Sequence, residues 1–147
     1  MNSIAVIYYS ASGNTAAMAE AVAEGIESMG AEANVFEVSE FLIDNLEDYD
    51  AFAFGCPASG DEELEEFEFE PFFSNAIETL GDRPVAIFGS YSSGNGKWMR
   101  KWEDVCDDMN LNLVASGVIA EDYPDSDAIE SCQELGEILV ENLDEFY

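Results

Sequence analysis

Basic residues are nearly absent from this sequence. Its 147 residues include four lysines and arginines and no histidine, against 33 aspartates and glutamates, which gives a formal net charge of -29. Such an acidic surface repels phosphate backbones and anionic lipid headgroups. We therefore expect no nucleic acid and no membrane among its partners, and a basic protein as the natural counterpart. Adaptation to a salt-rich cytoplasm is a second explanation of the acidity, and the two are compatible.

Cysteine and long apolar runs are scarce as well. The three cysteines, Cys56, Cys106 and Cys132, are widely spaced and form no CxxC pair, and there is no histidine to complete a metal site. No segment approaches the roughly 18 uncharged apolar residues of a membrane-spanning helix, and no export signal is recognisable. We expect a cytoplasmic protein without disulfides or a bound metal.

The chain does contain enough apolar material for one core. Hydrophobic residues make up 48% of it and aromatic residues 12%, a composition that can fold despite the charge. The length is near the commonest size of a single domain. We expect residues 1–147 to form one domain.

Apolar runs typical of buried strands alternate with helical patterns. Met18, Val22, Ile26 and Met29 fall at helical spacing, and Gly30 suits the left-handed residue that ends a helix. The predicted strands are 4–9, 34–38, 51–55, 84–88 and 111–116, and the later helices are marked by Pro71 to Leu80, by Trp98, Trp102, Val105, Cys106 and Met109, and by Ile129, Cys132, Leu139, Leu143 and Phe146.

This alternation predicts parallel strands joined by crossover helices, hence a doubly wound α/β sheet with helices on both faces. In such sheets ligands bind beyond the carboxyl ends of the strands, where the winding direction reverses. The loops after the first, third and fourth strands are therefore the candidate site. A phosphate-accepting receiver domain is excluded, because its aspartate at the end of the third strand would fall on Gly55 or Cys56.

The first of these loops has the chemistry of a phosphate site. Ser10, Ser12 and Thr15 supply hydroxyls, Asn14 an amide and Gly13 backbone freedom, directly before a helix whose first N–H groups and dipole favour an anion. The loop has no lysine or arginine, and the GK[ST] ending of a triphosphate-binding loop is missing. The pattern favours a phosphate monoester, and an ordinary capped turn is the alternative.

Residues 10–15 resemble the phosphate loop of the flavodoxin family, [ST]-x-[ST]-G-N-T, at every specified position. The resemblance continues through segments 60–62, 68–72, 89–91 and 96–100, and covers essentially the whole chain. Its pattern is most similar to that of short-chain flavodoxins of anaerobic bacteria.

The resemblance implies a five-stranded parallel sheet of order 2-1-3-4-5, noncovalently bound flavin mononucleotide (FMN), and a low-potential one-electron carrier with no substrate turnover. The implied partners are redox proteins with basic docking surfaces, and the implied state is a monomer. The cofactor-binding positions it assigns are Ser10, Ala11, Ser12, Gly13, Asn14, Thr15, Pro57, Ala58, Ser59, Gly60, Asp61, Glu62, Ser90, Tyr91, Ser92, Ser93 and Gly94; it assigns no catalytic and no metal-binding residue.

Within that set the resemblance implies distinct roles. The residues of the first loop hold the phosphate. The Gly60–Asp61 peptide turns its carbonyl toward the flavin N5 on reduction, for which a glycine that tolerates positive φ is suited, although this dipeptide is also a common turn signal. Glu62 bonds the N3 side of the ring.

Two positions depart from the family's pattern. Flavodoxins usually place an apolar or aromatic residue and a tryptophan or tyrosine against the two ring faces, where this chain has Ser59 and Ser93. Pro57 also replaces a hydroxyl residue common among relatives. Loss of both stacking contacts, each worth on the order of 1 kcal/mol beyond burial, predicts weaker FMN binding. The aromatic substitutes are Tyr91, Trp98, Phe67 and Phe69, each of which is also explained as core or turn packing.

Residues 61–66 form an acidic run beside the expected ring site. Neighbouring carboxylates disfavour an added negative charge on the flavin, so the run predicts a low potential and a docking role, while each acid alone is typical of a solvated loop. Two other functions stay open. One is a flavin or quinone reductase on the same fold, and the other is a degenerate flavodoxin that binds FMN weakly or not at all and serves as a partner-binding protein.

Overall fold

The computed structural model describes residues 2–60 and 62–146, excluding the side chains of residues 144–146. The strands are Ser3–Tyr8 (β1), Glu32–Glu37 (β2), Ala51–Gly55 (β3), Pro84–Tyr91 (β4), Asn112–Leu113 (β5) and Val118–Glu121 (β6). The helices are Asn14–Ser28 (α1), Phe69–Ala76 (α2), Lys97–Asp108 (α3) and Ser126–Phe146 (α4), and 3-10 turns occupy Val38–Glu40 and Ile43–Asp48. None of the helices in the described ranges is long and apolar enough to cross a bilayer.

The sheet confirms the predicted doubly wound topology. Its strands run in the order β2-β1-β3-β4-β5, with every pair parallel. Alternate residues of β1 enter different cores, with Ile4 and Val6 on one side and Ala5 and Ile7 on the other. Helices α1 and α4 cover the first side and α2 and α3 the second, so both faces of the sheet are buried.

The fifth strand position differs from the prediction of one continuous strand at 111–116. Two short strands share it, because β5 pairs with the start of β4 and β6 with its end. Between them Gly117 donates its N–H to Glu103 Oε2 of α3 at 2.7 Å. A Cβ on Gly117 would collide with the Met99 side chain, so the interruption lies close against α3 at a residue without a side chain.

One helix end follows the sequence signal. Gly30, predicted to end α1, adopts φ of 86°, the left-handed conformation of a helix-ending glycine. The helix predicted from Pro71 to Leu80 ends earlier, at Ala76. The apolar face predicted for α3 is too wide, because Val105 and Met109 are 43% and 49% exposed. Met29, predicted on the buried face of α1, is also 43% exposed, since it lies just past the end of the helix.

Candidate cofactor site

Three loops meet at the carboxyl edge of the sheet, as the topology requires. The first follows β1, the second joins β3 to α2, and the third follows β4. Ser90 connects all three, because its hydroxyl lies 2.8 Å from Thr15 Oγ1 and its carbonyl accepts the Ala58 N–H at 3.0 Å. Both hydroxyl groups are buried, so this junction is a fixed part of the fold.

The first loop leaves N–H groups at the start of α1 without an acceptor in the helix. Ser10 Oγ accepts the N–H of Gly13 at 3.0 Å and of Ala16 at 3.3 Å, which folds the loop back over the start of α1. Asn14 and Thr15 are the first two residues of α1, and their N–H groups have no acceptor within the helix. Gly13 has φ of 94°, a conformation that costs little only for glycine. The result is a cradle of neutral donors.

The charge around this cradle is notable in so acidic a chain. The first turn of α1 carries no acidic side chain, so nothing offsets the positive end of its helix dipole. Ala11, Ser12 and Gly13 are exposed, which leaves the cradle open. The arrangement suits an anionic group that is bound by hydrogen bonds and the dipole.

The second loop makes a tight turn. Ser59 and Glu63 exchange two backbone hydrogen bonds, of 2.8 and 2.9 Å, and the turn between them contains Gly60 with φ of 54° and Glu62 with φ of 56°. The positive φ of Gly60 is consistent with the expectation that this position needs a glycine, which tolerates such a backbone conformation. Asp61 lies outside the described residues.

Glu62 links the second loop to the third. Its Oε1 accepts the Lys97 N–H at the start of α3 at 2.8 Å, and its side chain lies so close to Gly94 that an added Cβ would be 2.9 Å from its carboxyl carbon. One carboxylate oxygen is thus engaged with α3. The other can accept a further hydrogen bond from a ligand between the loops.

Glu65 is a residue whose role the sequence analysis missed. It is 7% exposed, and its carboxylate accepts the N–H groups of Phe67, Glu68 and Phe69 at 2.7 to 2.9 Å. Burial alone would raise the pKa of the Glu65 carboxyl, but the three donors outweigh it and the pKa lies below its ordinary value. This carboxylate starts α2 two residues before Pro71. A run of acids in the sequence gives no sign of which one turns inward.

Cys56 lies at the base of the second loop. Its thiol is buried, and its sulfur accepts the Glu65 N–H at 3.4 Å. Burial raises the pKa of the Cys56 thiol to about 12, so the thiol stays protonated near neutral pH. Cys56 is therefore a buried residue directly after β3.

Comparison with known proteins agrees with this geometry. The family model described as flavodoxin matches residues 6–136. A flavodoxin of Clostridium beijerinckii is 41% identical over 131 residues, covering 89% of this chain and 94% of that protein. A flavodoxin of Megasphaera elsdenii is 34% identical over 134 residues, covering 91% of this chain and 96% of that protein. The chain belongs to the flavodoxin family.

A solved structure extends the comparison. The solution structure of two-electron reduced Megasphaera elsdenii flavodoxin matches with a TM-score of 0.83 and 33% identity, and the match covers 94% of this chain and 98% of that one. Flavodoxins bind FMN and carry electrons, so this chain is an FMN-binding electron carrier. Its donor cradle, at the start of a helix with no acidic side chain in the first turn, fits the phosphate of that cofactor.

The two residues that the sequence predicts against the ring faces carry no bulky side chain. Ser59 and Ser93 are both exposed. Tyr91 is partly buried and its ring packs 5.4 Å from that of Trp98. Trp98 is itself buried and donates its indole N–H to the Cys56 carbonyl at 3.2 Å. Trp98 is therefore a core residue, and Tyr91 remains accessible to a flavin.

The remaining two aromatic candidates also differ in burial. Phe69 is fully buried and packs against Phe73 and Trp102 at ring distances of 6.1 and 5.4 Å. Phe67 is 82% exposed, although its backbone is held by the Glu65 carboxylate. The core explanation therefore applies to Phe69, and Phe67 is the exposed aromatic of the second loop.

Proposed function

We propose that this flavodoxin acts as a single domain that holds FMN across the three loops and passes one electron at a time between redox enzymes, without turning over a substrate. The observation that carries the proposal is the cradle of open N–H donors at the start of α1, which the Thr15–Ser90 contact joins to the other two loops. An anion bound there lies next to the place where the three loops meet.

The phosphate end of the cofactor is assigned to the first loop. The N–H groups of Asn14 and Thr15 point away from any helical acceptor, and the exposed Ser12 hydroxyl lies beside them. Hydrogen bonds from these neutral donors to a doubly charged phosphate are charge-assisted, which makes them stronger than neutral pairs. A basic side chain is therefore not needed.

The ring end is assigned to the second and third loops. Glu62, braced by the Lys97 N–H, supports the role of acceptor for the flavin N3–H. The turn around Gly60, with its positive φ, supports the role of a peptide that bonds the flavin N5 side. Pro57, Ala58 and Ser90 to Gly94 complete the enclosure, with Tyr91 as the aromatic contact.

The acidic surroundings point to a low potential. A carboxylate about 10 Å from the ring, at an effective dielectric near 20, opposes an added electron by roughly 1.7 kcal/mol, or about 70 mV. Salt reduces this effect for the exposed acids. The charge of -29 also favours a monomer and basic redox partners, because copies of the chain repel one another. Three buried free thiols suit the reducing cytoplasm.

Reconstitution with FMN tests the proposal. The purified holoprotein is expected to be yellow, to absorb near 450 nm, and to take up reducing equivalents in two one-electron steps during anaerobic titration. It should oxidise NADPH only when a separate reductase is added. Steady NADPH oxidation by the protein alone would establish the reductase alternative, and a protein that stays colourless after FMN addition would establish the degenerate flavodoxin.

A further inference from the structure

An apolar groove of about 470 Å³ runs between α2 and α3, on the side of the sheet away from α1 and α4. Its volume is in the range of sites that hold a ligand or several side chains of a partner. The walls are Leu64, Phe73, Ile77, Trp98, Trp102 and Val105. Val105 is 43% exposed because it stands on the lip of this groove, which accounts for the wrong prediction that it is buried.

Both tryptophans of the chain form the floor of the groove. Trp98 and Trp102 are each 1% exposed. The Trp102 indole N–H has no hydrogen-bond partner among the described residues, and its ring packs edge to face against Phe69 and Phe73. The floor is therefore a rigid aromatic layer beneath the more exposed walls.

The rim of the groove is acidic. Glu62, Glu63, Glu66 and Glu70 surround the apolar walls, and the single basic group there is Lys101. Lys101 Nζ is already paired with Glu63 Oε1 at 2.9 Å. Because Glu63 is paired with Lys101 and Glu62 is assigned to the flavin, the rim offers Glu66 and Glu70 to cations on whatever enters the groove.

The groove is continuous with the cofactor site. Glu62 belongs both to the groove rim and to the turn of the second loop, where it accepts the Lys97 N–H. Trp98 lies in the groove floor and contacts Tyr91 of the third loop. One end of the groove therefore lies beside the expected position of the ring.

We propose that this groove is the docking site for a basic amphipathic segment of a redox partner. Apolar side chains of the segment pack against Ile77 and Val105 above the buried tryptophans, and its lysines or arginines pair with Glu66 and Glu70. The proposal rests on the carrier function and specifies where the partner binds. A second copy of this chain is a poor occupant, because a protein of charge -29 would bring like charge to an acidic rim.

A synthetic probe tests the docking site on the FMN holoprotein. The probe is a helical peptide with leucines at i, i+3, i+4 and i+7 and lysines elsewhere, and its control is a peptide of the same composition in scrambled order. Binding is followed by amide and indole N–H chemical shifts and by a titration. The docking site predicts shifts at Leu64, Ile77 and the two indole N–H groups, with much weaker binding of the scrambled peptide.

Matched substitutions separate the groove from general acidity. Val105→Gln on the groove lip should weaken peptide binding about tenfold, whereas Met29→Gln, equally exposed at the end of α1 on the opposite side of the sheet, should leave it within about twofold. Glu70→Gln should weaken binding more than Glu130→Gln, which removes the same charge from α4 on the opposite face.

Equal losses in each pair, shifts spread over the whole acidic surface, or equal affinity for the scrambled peptide would overturn the docking site. A change of oligomeric state as the only response to the peptide would also overturn the docking site. These results leave the yellow colour and stepwise reduction of the holoprotein untouched, so failure of the docking site is distinct from failure of the carrier function.

Discussion

At the level of single residues, we propose that Ser59 and Ser93 limit how tightly the ring is held. Both are exposed serines at positions where flavodoxins usually stack a larger side chain. The structure provides Tyr91 and Phe67 as the accessible aromatics nearby, and it removes Phe69 and Trp98 from consideration because both are buried in the core. The phosphate-loop motif could be found from the sequence. Which aromatic side chains are accessible and which are buried depends on packing, which residue spacing alone does not reveal.

Restoring the stacking side chain should strengthen cofactor binding. Ser93→Trp is expected to lower the FMN dissociation constant about tenfold, because a stacked aromatic contributes roughly 1 kcal/mol beyond the area it buries. Flavin fluorescence quenching measures the change. Ser116→Trp, an exposed position away from the three loops, is the control. An unchanged constant for Ser93→Trp would mean that the ring face does not lie against the third loop.

The buried carboxylate of Glu65 should make folding stability depend on pH. Its folded-state pKa is lowered, so its contribution is complete above the ordinary value of 4.5 and is lost as pH falls through the lower folded value. Glu65→Gln should reduce the free energy of unfolding near pH 7 by about 2 kcal/mol, with the difference shrinking in acid. Urea unfolding measures it, and exposed Glu66→Gln is the control. A constant difference across the pH range would contradict the assignment.

At the element scale, the close approach of α1 and α4 depends on two glycines. A Cβ on Gly25 would collide with the Gln133 carbonyl, and a Cβ on Gly136 with the Val22 carbonyl. The two helix backbones therefore touch directly. Both helices could be predicted from the sequence. The contact between their backbones could not, because glycine inside a helical pattern is by itself only a sign of lower helix propensity.

Alanine at either glycine should destabilise the protein. In an isolated helix Gly→Ala is stabilising by up to about 1 kcal/mol, but here Gly25→Ala or Gly136→Ala is expected to cost about 2 kcal/mol or more, because the added methyl forces the backbones apart. Thermal unfolding gives the sign directly. Glu27→Ala, on the exposed side of α1, is the control, and stabilisation by either glycine replacement would contradict the packing.

Element boundaries show where pattern analysis succeeds and where it stops. The strand predicted at 51–55 is β3 to the residue, because a fully buried strand gives a continuous apolar run. The fifth strand is divided, because Gly117 packs closely against α3. No periodicity in the sequence marks this position. Helix α2 begins early because a buried carboxylate supplies acceptors that local sequence signals do not include.

At the scale of the whole molecule, the net charge of -29 opposes folding through self-repulsion. Raising the salt from about 10 mM to 0.5 M should therefore increase the melting temperature by roughly 5 °C. Sodium and potassium chloride should act equally, because screening does not depend on the cation. A melting temperature independent of salt, or a response to one cation only, would contradict this explanation.

Most of the fold could be predicted because the family motif and the alternation of strands and helices agree with each other. The order β2-β1-β3-β4-β5 follows from that agreement. The groove between α2 and α3 could not be predicted, because it depends on how far apart two helices sit on the sheet. The same holds for Glu65 and for the Thr15–Ser90 contact, which join segments distant in sequence.

We propose that the first loop holds the phosphate of FMN and thereby anchors the flavin. Fluorescence quenching during titration of the apoprotein gives the dissociation constants of FMN and of riboflavin, which lacks the phosphate, and their ratio tests this proposal. Two or more charge-assisted hydrogen bonds at the cradle predict that FMN binds at least about 100-fold more tightly than riboflavin. Equal affinities, or an FMN dissociation constant weaker than about 0.1 mM, would contradict the claim.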